Sequence, residues 1–250
     1  MSFSSSIDPD SMTLEQMIED TRQITEYLKN RFNQEKIYLM GHSWGSVLGI
    51  KTIEKHPENY LAYIGIGQSV YGPESEKLSY DYMLQYAMEI NDKAAVRKLL
   101  KFDRNAPDFP NMKYLGTIRG QLMNKYGIGM MRDKSSMPGL IKDFLFFSGY
   151  TLSEKVKFIQ GSIFSILNLW DKVVSDNFFK TSISFRVPVF IIHGKYDYQV
   201  SYILSREYFD VIEAPDKAFF TFENSAHSPN FEEPERFVQV IQQIALRLEN

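Results

Sequence analysis

The chain has 250 residues, and its 28 basic and 31 acidic side chains leave a formal net charge of −3. A chain of this length can bury a sizeable core as one large domain, and its 44% hydrophobic and 14% aromatic content excludes a disordered chain. The absence of cysteine excludes disulfides, thiolate nucleophiles and cysteine zinc sites. The near-neutral charge argues against nucleic acid as a partner.

The beginning of the chain and its apolar runs bear on where the protein works. The first residues, MSFSSSIDPDSMTLEQ, lack the positive and apolar regions of a signal peptide. No later stretch reaches the roughly 18 apolar residues that a membrane-spanning helix requires. We therefore expect a cytoplasmic protein with no membrane partner.

The first quarter of the chain alternates between helical and strand patterns. Apolar residues at helical spacing predict an amphipathic helix from 13 to 32, with Thr13 and Gln16 placed as a capping box. Three further elements follow in order: a strand at 36–40, a helix at 44–55 and a strand at 61–66. The chain thus opens with helix, strand, helix and strand.

The strand pattern disappears between about residues 70 and 185. Helical patterns at 80–90, 94–100 and 153–170 take its place, so we predict a helical cap at 70–185 inserted into a core formed by 1–69 and 186–250. The aromatic and methionine side chains of this insert fit either an apolar pocket or plain helix packing.

Strand patterns return near the end of the chain. We predict strands at 187–192 and 218–222, followed by helices at about 200–209 and 234–248. Strands that alternate with helices imply right-handed crossovers and a largely parallel sheet. The predicted fold class is therefore α/β with a helical insertion.

The segment GHSWGS places Ser43 in a Gly-x-Ser-x-Gly motif that follows a predicted strand and opens a predicted helix. A nucleophilic serine on such a tight turn needs small residues two positions to either side, which Gly41 and Gly45 provide. The backbone N–H of Trp44, at the start of the helix, is then available to an oxyanion. The alternative is a serine that only caps the helix.

A nucleophilic serine needs a base and an acid. Of the four histidines, His42 is fixed in the turn and is expected to point elsewhere, and His56 and His193 lie at the ends of a helix and a strand. His227 lies in a loop past the last strand and is the predicted base. Asp197, in the loop after the preceding strand, is the predicted acid, with helix capping as the alternative and Glu223 as the reserve acid.

Three segments together carry a family resemblance: GHSWGS, HGKYD and NSAHSPNFEEPERF. They resemble the α/β-hydrolase superfamily, and Trp44-Gly45-Ser46 with a helical cap looks most like the proline iminopeptidase branch. The resemblance implies an α/β-hydrolase fold with Ser43 as nucleophile, Asp197 as acid, His227 as base and Trp44 as an oxyanion donor.

The resemblance also implies features for which this sequence has no counterpart. The family builds an eight-stranded sheet and takes a second oxyanion donor from a loop after the third strand, whereas here the chain matches only the C-terminal part of such a sheet. The opening residues look like the middle of a hydrolase. Proline iminopeptidases usually have glycine where this chain has His42, and they carry a cap acid beside a His-Tyr-Phe run that is absent here.

The sequence therefore predicts a serine hydrolase that cleaves a small amide or ester, most like a proline iminopeptidase acting on a short peptide. A carboxylic-ester hydrolase and a truncated hydrolase that only binds a ligand are the alternatives. An amine-binding group would come from a cap carboxylate, with four candidates: Glu74, Glu89, Glu154 and Asp171. No motif indicates a cofactor or a metal site.

The last prediction concerns the strand at 36–40. In the resembling family, the strand that precedes the nucleophile lies beside another that this chain lacks, so we expect one edge without hydrogen-bond partners. We expect that edge to pair with a second copy of the chain or with a separate N-terminal fragment.

Overall fold

The computed structural model describes residues 12–133, 142 and 144–249. Its sheet has four parallel strands that lie in sequence order. These strands are β1 (Ile37–His42), β2 (Tyr60–Ile66), β3 (Val189–Gly194) and β4 (Lys217–Phe222). All four predicted strands are present, and the prediction of a parallel α/β sheet is confirmed.

The strand β1 forms one edge of this sheet. Among the described residues it pairs with β2 alone, in a register that places Leu39 beside Tyr63 and Met40 beside Ile64. Its side chains alternate, so that Ile37 and Leu39 pack against one core while Tyr38 and Met40 remain exposed. Among the described residues no strand pairs with the other side of β1, and its pairing with a second copy or an N-terminal fragment remains a prediction.

Helices cover the sheet on both faces. The first two, α1 (Leu14–Phe32) and α2 (Trp44–Lys55), contribute to a core with Val189 and Ile191 of β3. On the opposite face, the last helix packs Val240 and Ile244 against β2, β3 and β4. Because neighbouring residues of β3 point to opposite faces, each face receives its own apolar set.

The described residues between β2 and β3 form helices and no named strand. They are α3 (Gly72–Glu89), α4 (Lys93–Leu99), α5 (Met112–Tyr114), a π-helical turn (Leu115–Arg119), α6 (Gly120–Tyr126), α7 (Leu152–Ser175) and α8 (Phe178–Thr181). After β3 come α9 (Tyr202–Val211), α10 (Pro229–Glu232) and α11 (Pro234–Glu249). Helices α3 to α6 surround a core of their own. The division into cap and core at 70–185 remains a prediction.

Two local predictions need correction. Helix α3 begins at Gly72 rather than at 80, because its first turns bury the polar side chains of Ser75, Glu76 and Ser79, which give no apolar pattern. At the start of α1, Thr13 does accept a hydrogen bond from the Gln16 backbone. The Gln16 side chain, however, bonds to Asp20, so the expected capping box is only half formed.

Candidate active site

Ser43 stands alone between the end of β1 and the start of α2. Its backbone has φ 60 and ψ −127, a conformation that an L-residue adopts only under strain and that is frequent at active sites. The turn is tight, because a Cβ atom on Gly41 would overlap Gly45 O. Ser43 N donates to Ile66 O at 2.9 Å, which fixes the turn beside the end of β2. Trp44 is the first residue of α2, so its N–H lies at the positive end of that helix.

Asp197 lies in the loop after β3 and is completely buried. Its Oδ1 accepts a hydrogen bond from Val200 N at 2.8 Å, and its Oδ2 lies 2.8 Å from His227 Nδ1. Burial alone would raise the pKa of Asp197, but the charge of His227 and the hydrogen bonds from His193 and His227 outweigh it. The pKa is held well below its usual value, so Asp197 is a carboxylate at neutral pH.

His227 lies in the loop after β4 and is 1% exposed. Besides the bond from its ring to Asp197, its N–H donates to Gly129 O at 3.2 Å. Gly67, one residue after the carbonyl that binds Ser43 N, has φ +54, and a Cβ there would lie 3.1 Å from the His227 ring. A bare glycine thus lets the imidazole approach the turn that carries Ser43. The structure therefore brings the three predicted residues to the same end of the sheet.

Two other histidines also lie in this region, and one of them, His42, does not point elsewhere as the sequence predicts. His42 Nε2 lies 2.7 Å from His227 O, so its side chain points toward the predicted base. His193 is buried, and its Nε2 lies 3.1 Å from both Val200 O and Asp197 Oδ2. His42 ends β1 and His193 lies near the end of β3, and the parallel sheet brings these ends together, which the local pattern around each histidine does not indicate.

The loop that carries His227 is held by two carboxylates that the sequence reasoning missed. Glu232 Oε2 accepts from Ala226 N at 2.9 Å and from Ser228 N at 3.3 Å, one residue on either side of His227. Glu233 accepts from Ser225 Oγ at 2.6 Å. Burial raises the pKa of Glu232, although backbone N–H groups oppose that rise. The signal was present as a pair of acids shortly after the histidine, but nothing in the sequence showed which N–H groups they would meet.

The segment 127–132, which follows α6, contacts two loops. One is the loop after β3 that carries Asp197, here called the acid loop, and the other is the loop after β4 that carries His227, here called the base loop. Tyr198 N donates to Ile128 O at 3.1 Å, and His227 N donates to Gly129 O. Arg132 N donates to Glu232 Oε1 at 2.5 Å. The predicted cap region is thus bonded directly to the loops that carry Asp197 and His227.

The other predicted carboxylates are not placed at this site. Glu223, the reserve acid, is more than half exposed and pairs with Lys195 at 2.6 Å. Among the candidates for binding an amine, Glu74 pairs with Lys77, Glu89 accepts from Gln85 and Glu154 caps α7. The side chain of Asp171 lies outside the described residues.

Glu76 is a buried carboxylate in the helical region, and it already has a partner. Glu76 accepts from Arg119 Nε at 2.7 Å, and both side chains are about one-tenth exposed. Arg119 also donates to Gln199 in the acid loop.

The described residues contain no group of three or more His, Asp or Glu side chains that could hold a metal ion. In the same part of the chain, no helix is long and apolar enough to cross a membrane.

Comparison with known proteins agrees with this fold. A family model described as alpha/beta hydrolase fold matches residues 3–234. The chain therefore belongs to the alpha/beta hydrolase fold family, and we conclude that it is a hydrolase.

Two relatives show where in that family the similarity lies, and one solved structure shows the likeness of the fold. A Bacillus subtilis protein named "Probable aminopeptidase YbaC" is 33% identical over 247 residues, which are 96% of this chain and 75% of the relative. A proline iminopeptidase of Saccharolobus solfataricus is 25% identical, with 88% of this chain and 66% of the relative covered. The structure of a proline iminopeptidase from Mycobacterium smegmatis matches with a TM-score of 0.59 at 14% identity, covering 97% of this chain and 74% of that chain. The predicted resemblance to the proline iminopeptidase branch is confirmed.

Proposed function

We propose that the protein is a serine hydrolase in which Ser43, His227 and Asp197 form the catalytic triad. The observation that carries this proposal is the buried bond of 2.8 Å between His227 Nδ1 and Asp197 Oδ2, located beside a strained turn that presents Ser43. A buried carboxylate that accepts from Nδ1 leaves Nε2 of the imidazole to take a proton from a hydroxyl group.

In this mechanism, Ser43 Oγ attacks the carbonyl carbon of the substrate while its proton moves to His227 Nε2. The negative charge that develops on the carbonyl oxygen is stabilised by the N–H of Trp44 at the start of α2. Collapse of the intermediate breaks the bond to the leaving group, which takes the proton from His227. Water then gives its proton to His227 and attacks the acyl carbon, which releases the acid product and restores Ser43.

We further propose that the substrate is a short peptide or amide with a free N-terminus, as in an aminopeptidase of the proline iminopeptidase type. The similarity to proteins named aminopeptidase and proline iminopeptidase supports this choice. An N-terminal ammonium ion would need a carboxylate partner once it is desolvated. Glu76 is occupied by Arg119, so it does not fill that role in this arrangement.

Labelling with a fluorophosphonate tests the nucleophile. We expect the probe to label the wild-type chain and the control variant Ser162→Ala, whose hydroxyl bonds within α7. We expect no labelling of Ser43→Ala. Labelling that survives Ser43→Ala would contradict the assignment.

Substrate choice is tested by comparing an N-terminal prolyl amide with short p-nitrophenyl esters. Turnover of the amide supports the aminopeptidase. Turnover of esters without any turnover of amides would favour the carboxylic-ester hydrolase. Binding of an amide or ester without any turnover would indicate a protein that only holds its ligand.

A further inference from the structure

The side chain of His42 connects the turn of the nucleophile to the loop of the base. His42 is the residue immediately before Ser43, and its Nε2 lies 2.7 Å from the backbone oxygen of His227. The two imidazole rings have centroids 4.8 Å apart and are tilted by 35°. One side chain from the end of β1 therefore contacts both the backbone and the ring of His227.

The chemistry of this contact fixes the direction of the hydrogen bond. A backbone carbonyl only accepts, so Nε2 of His42 must carry the proton and donate it. Burial, followed by the neighbouring charge of His227, lowers the pKa of His42. At neutral pH, His42 is therefore a neutral imidazole whose Nε2–H is committed to His227 O.

The backbone of His227 is held at both of its polar groups, from two different parts of the molecule. Its N–H donates to Gly129 O in the helical region, and its carbonyl accepts from His42. The flanking N–H groups of Ala226 and Ser228 are held by Glu232. Of these contacts, only the one from His42 comes from the turn that carries Ser43.

We propose that His42 is a positioning residue that sets the placement of His227 relative to Ser43. The inference rests on the proposed function, in which a proton must pass between these two residues. A misplacement of about 1 Å in such a pair can reduce the rate on the order of 100-fold. Without His42, the loop would still be held by Glu232 and Gly129, but its position would no longer be tied to the nucleophile.

Two substitutions of His42 distinguish the effect of its hydrogen bond from the effect of its ring volume. His42→Phe keeps a ring but removes the donor, and we expect kcat to fall by about 5- to 100-fold with little change in KM. His42→Gln carries an amide N–H at nearly the same reach as Nε2, and we expect it to restore most of the lost kcat. His56→Phe, which changes a histidine at the far end of α2, serves as the control and should retain wild-type kcat.

Two kinetic outcomes would overturn the proposal. In one, kcat of His42→Phe equals that of the wild type. In the other, His42→Gln is as impaired as His42→Phe, which would show that an N–H donor at this position does not restore kcat.

Hydrogen exchange gives a reading that does not depend on turnover. In His42→Phe we expect faster amide exchange in residues 224–228 and unchanged exchange in β3, with protection recovered in His42→Gln. If this pattern appears while no substrate is turned over, the proposed function fails and the contact stands. If exchange at 224–228 is the same in all variants, the positioning role of His42 is wrong even where hydrolysis is observed.

Discussion

The centre of the sheet and its β1 edge differ in how many neighbouring strands the described residues give them. The strand β3 is buried at every residue and pairs with both β2 and β4. The loops after β3 and β4 are bonded to each other through Asp197 and His227 and to the helical region through the segment 127–132. At the edge, β1 pairs with β2 alone among the residues that the structure describes, and Tyr38 and Met40 are 38% and 44% exposed.

This difference separates two tasks of the proposed mechanism. The acid and the base are fully positioned by bonds within the described residues. In that mechanism the N–H of Trp44, at the start of α2 and next to the end of β1, would stabilise the oxyanion. We infer that substitutions around Asp197 and His227 act on proton transfer, whereas substitutions on β1 act on the contacts made at that edge.

The largest expected effect lies at Asp197, the proposed acid, which follows the central strand β3. Asp197→Asn keeps the shape of the side chain but offers an amide N–H to His227, which favours the wrong tautomer of the imidazole. We expect kcat/KM to fall by about 10⁴-fold, as measured with the best ester or amide substrate. Glu223→Gln, which changes the exposed reserve acid, is the matched control and should retain activity. Loss of activity in the control alone would reverse the assignment of the acid.

The next effect concerns the packing between β3 and the base loop. A Cβ atom on Gly194 would overlap Ala226 O, so Gly194→Ala must displace backbone next to His227. We expect the free energy of unfolding to fall by about 1–3 kcal/mol or more. Gly161→Ala, where a Cβ meets no atom within 4 Å, should be neutral or slightly stabilising. Urea unfolding of the two variants measures the difference. Equal stabilities would show that the loop carrying His227 can rearrange around the added methyl group at little cost in free energy.

Glu232 tests whether the base loop depends on its carboxylate. Glu232→Gln replaces one acceptor oxygen by an N–H group that faces backbone donors, so at least one bond to Ala226 or Arg132 is lost. We expect a loss of about 1–2 kcal/mol in stability and a fall in kcat/KM of about 10-fold. Glu235→Gln, in the first turn of α11, is a control outside these bonds. An unchanged kcat/KM in Glu232→Gln would mean that the other anchors suffice.

The lowered pKa of His42 gives the site a dependence on pH. In the unfolded chain, His42 takes up a proton near pH 6.5, whereas in the folded protein it does so only at lower pH. Its contribution to stability is therefore lost as the pH falls from about 6.5 to its folded pKa, with a slope of at most about 1.4 kcal/mol per pH unit. We expect both His42→Gln and His42→Phe to flatten this slope in urea unfolding between pH 5 and 7. A slope that matches the wild type in both variants would contradict the lowered pKa.

The sequence predicted the parts of the site that a local pattern encodes. The strand, turn and helix around Ser43 follow from an apolar run, a Gly-x-Ser-x-Gly motif and a helical stripe, and α2 was predicted with its observed bounds. The positions of Asp197 and His227 after their strands were also readable. Two kinds of contact could not be read. The bond from His42 to His227 depends on how the strands lie side by side, and the bonds from Ala226 and Ser228 to Glu232 depend on how the loop after β4 folds back. No local pattern specifies either arrangement.

The smallest expected effect lies at the open edge. We propose that β1 pairs with β1 of a second copy, because one side of β1 has no neighbouring strand among the described residues and the exposed Tyr38 and Met40 favour strand addition. A lysine at an edge strand opposes such pairing and disturbs little else, since Met40 already faces outward. For Met40→Lys we expect a change in stability within about 0.5 kcal/mol, together with a lower mass by light scattering at concentrations where the wild type self-associates.

The matched control for the edge is Val211→Lys, which places the same charge on an exposed apolar residue at the end of α9. If both lysines reduce the mass equally, general surface polarity is responsible and β1 is not the contact. If the wild type is a single chain at every concentration, pairing between copies is wrong. Hydrogen exchange at Tyr38 to Met40 then separates the remaining cases: fast exchange shows an edge left open, and strong protection shows that residues outside the described part of the chain cover it.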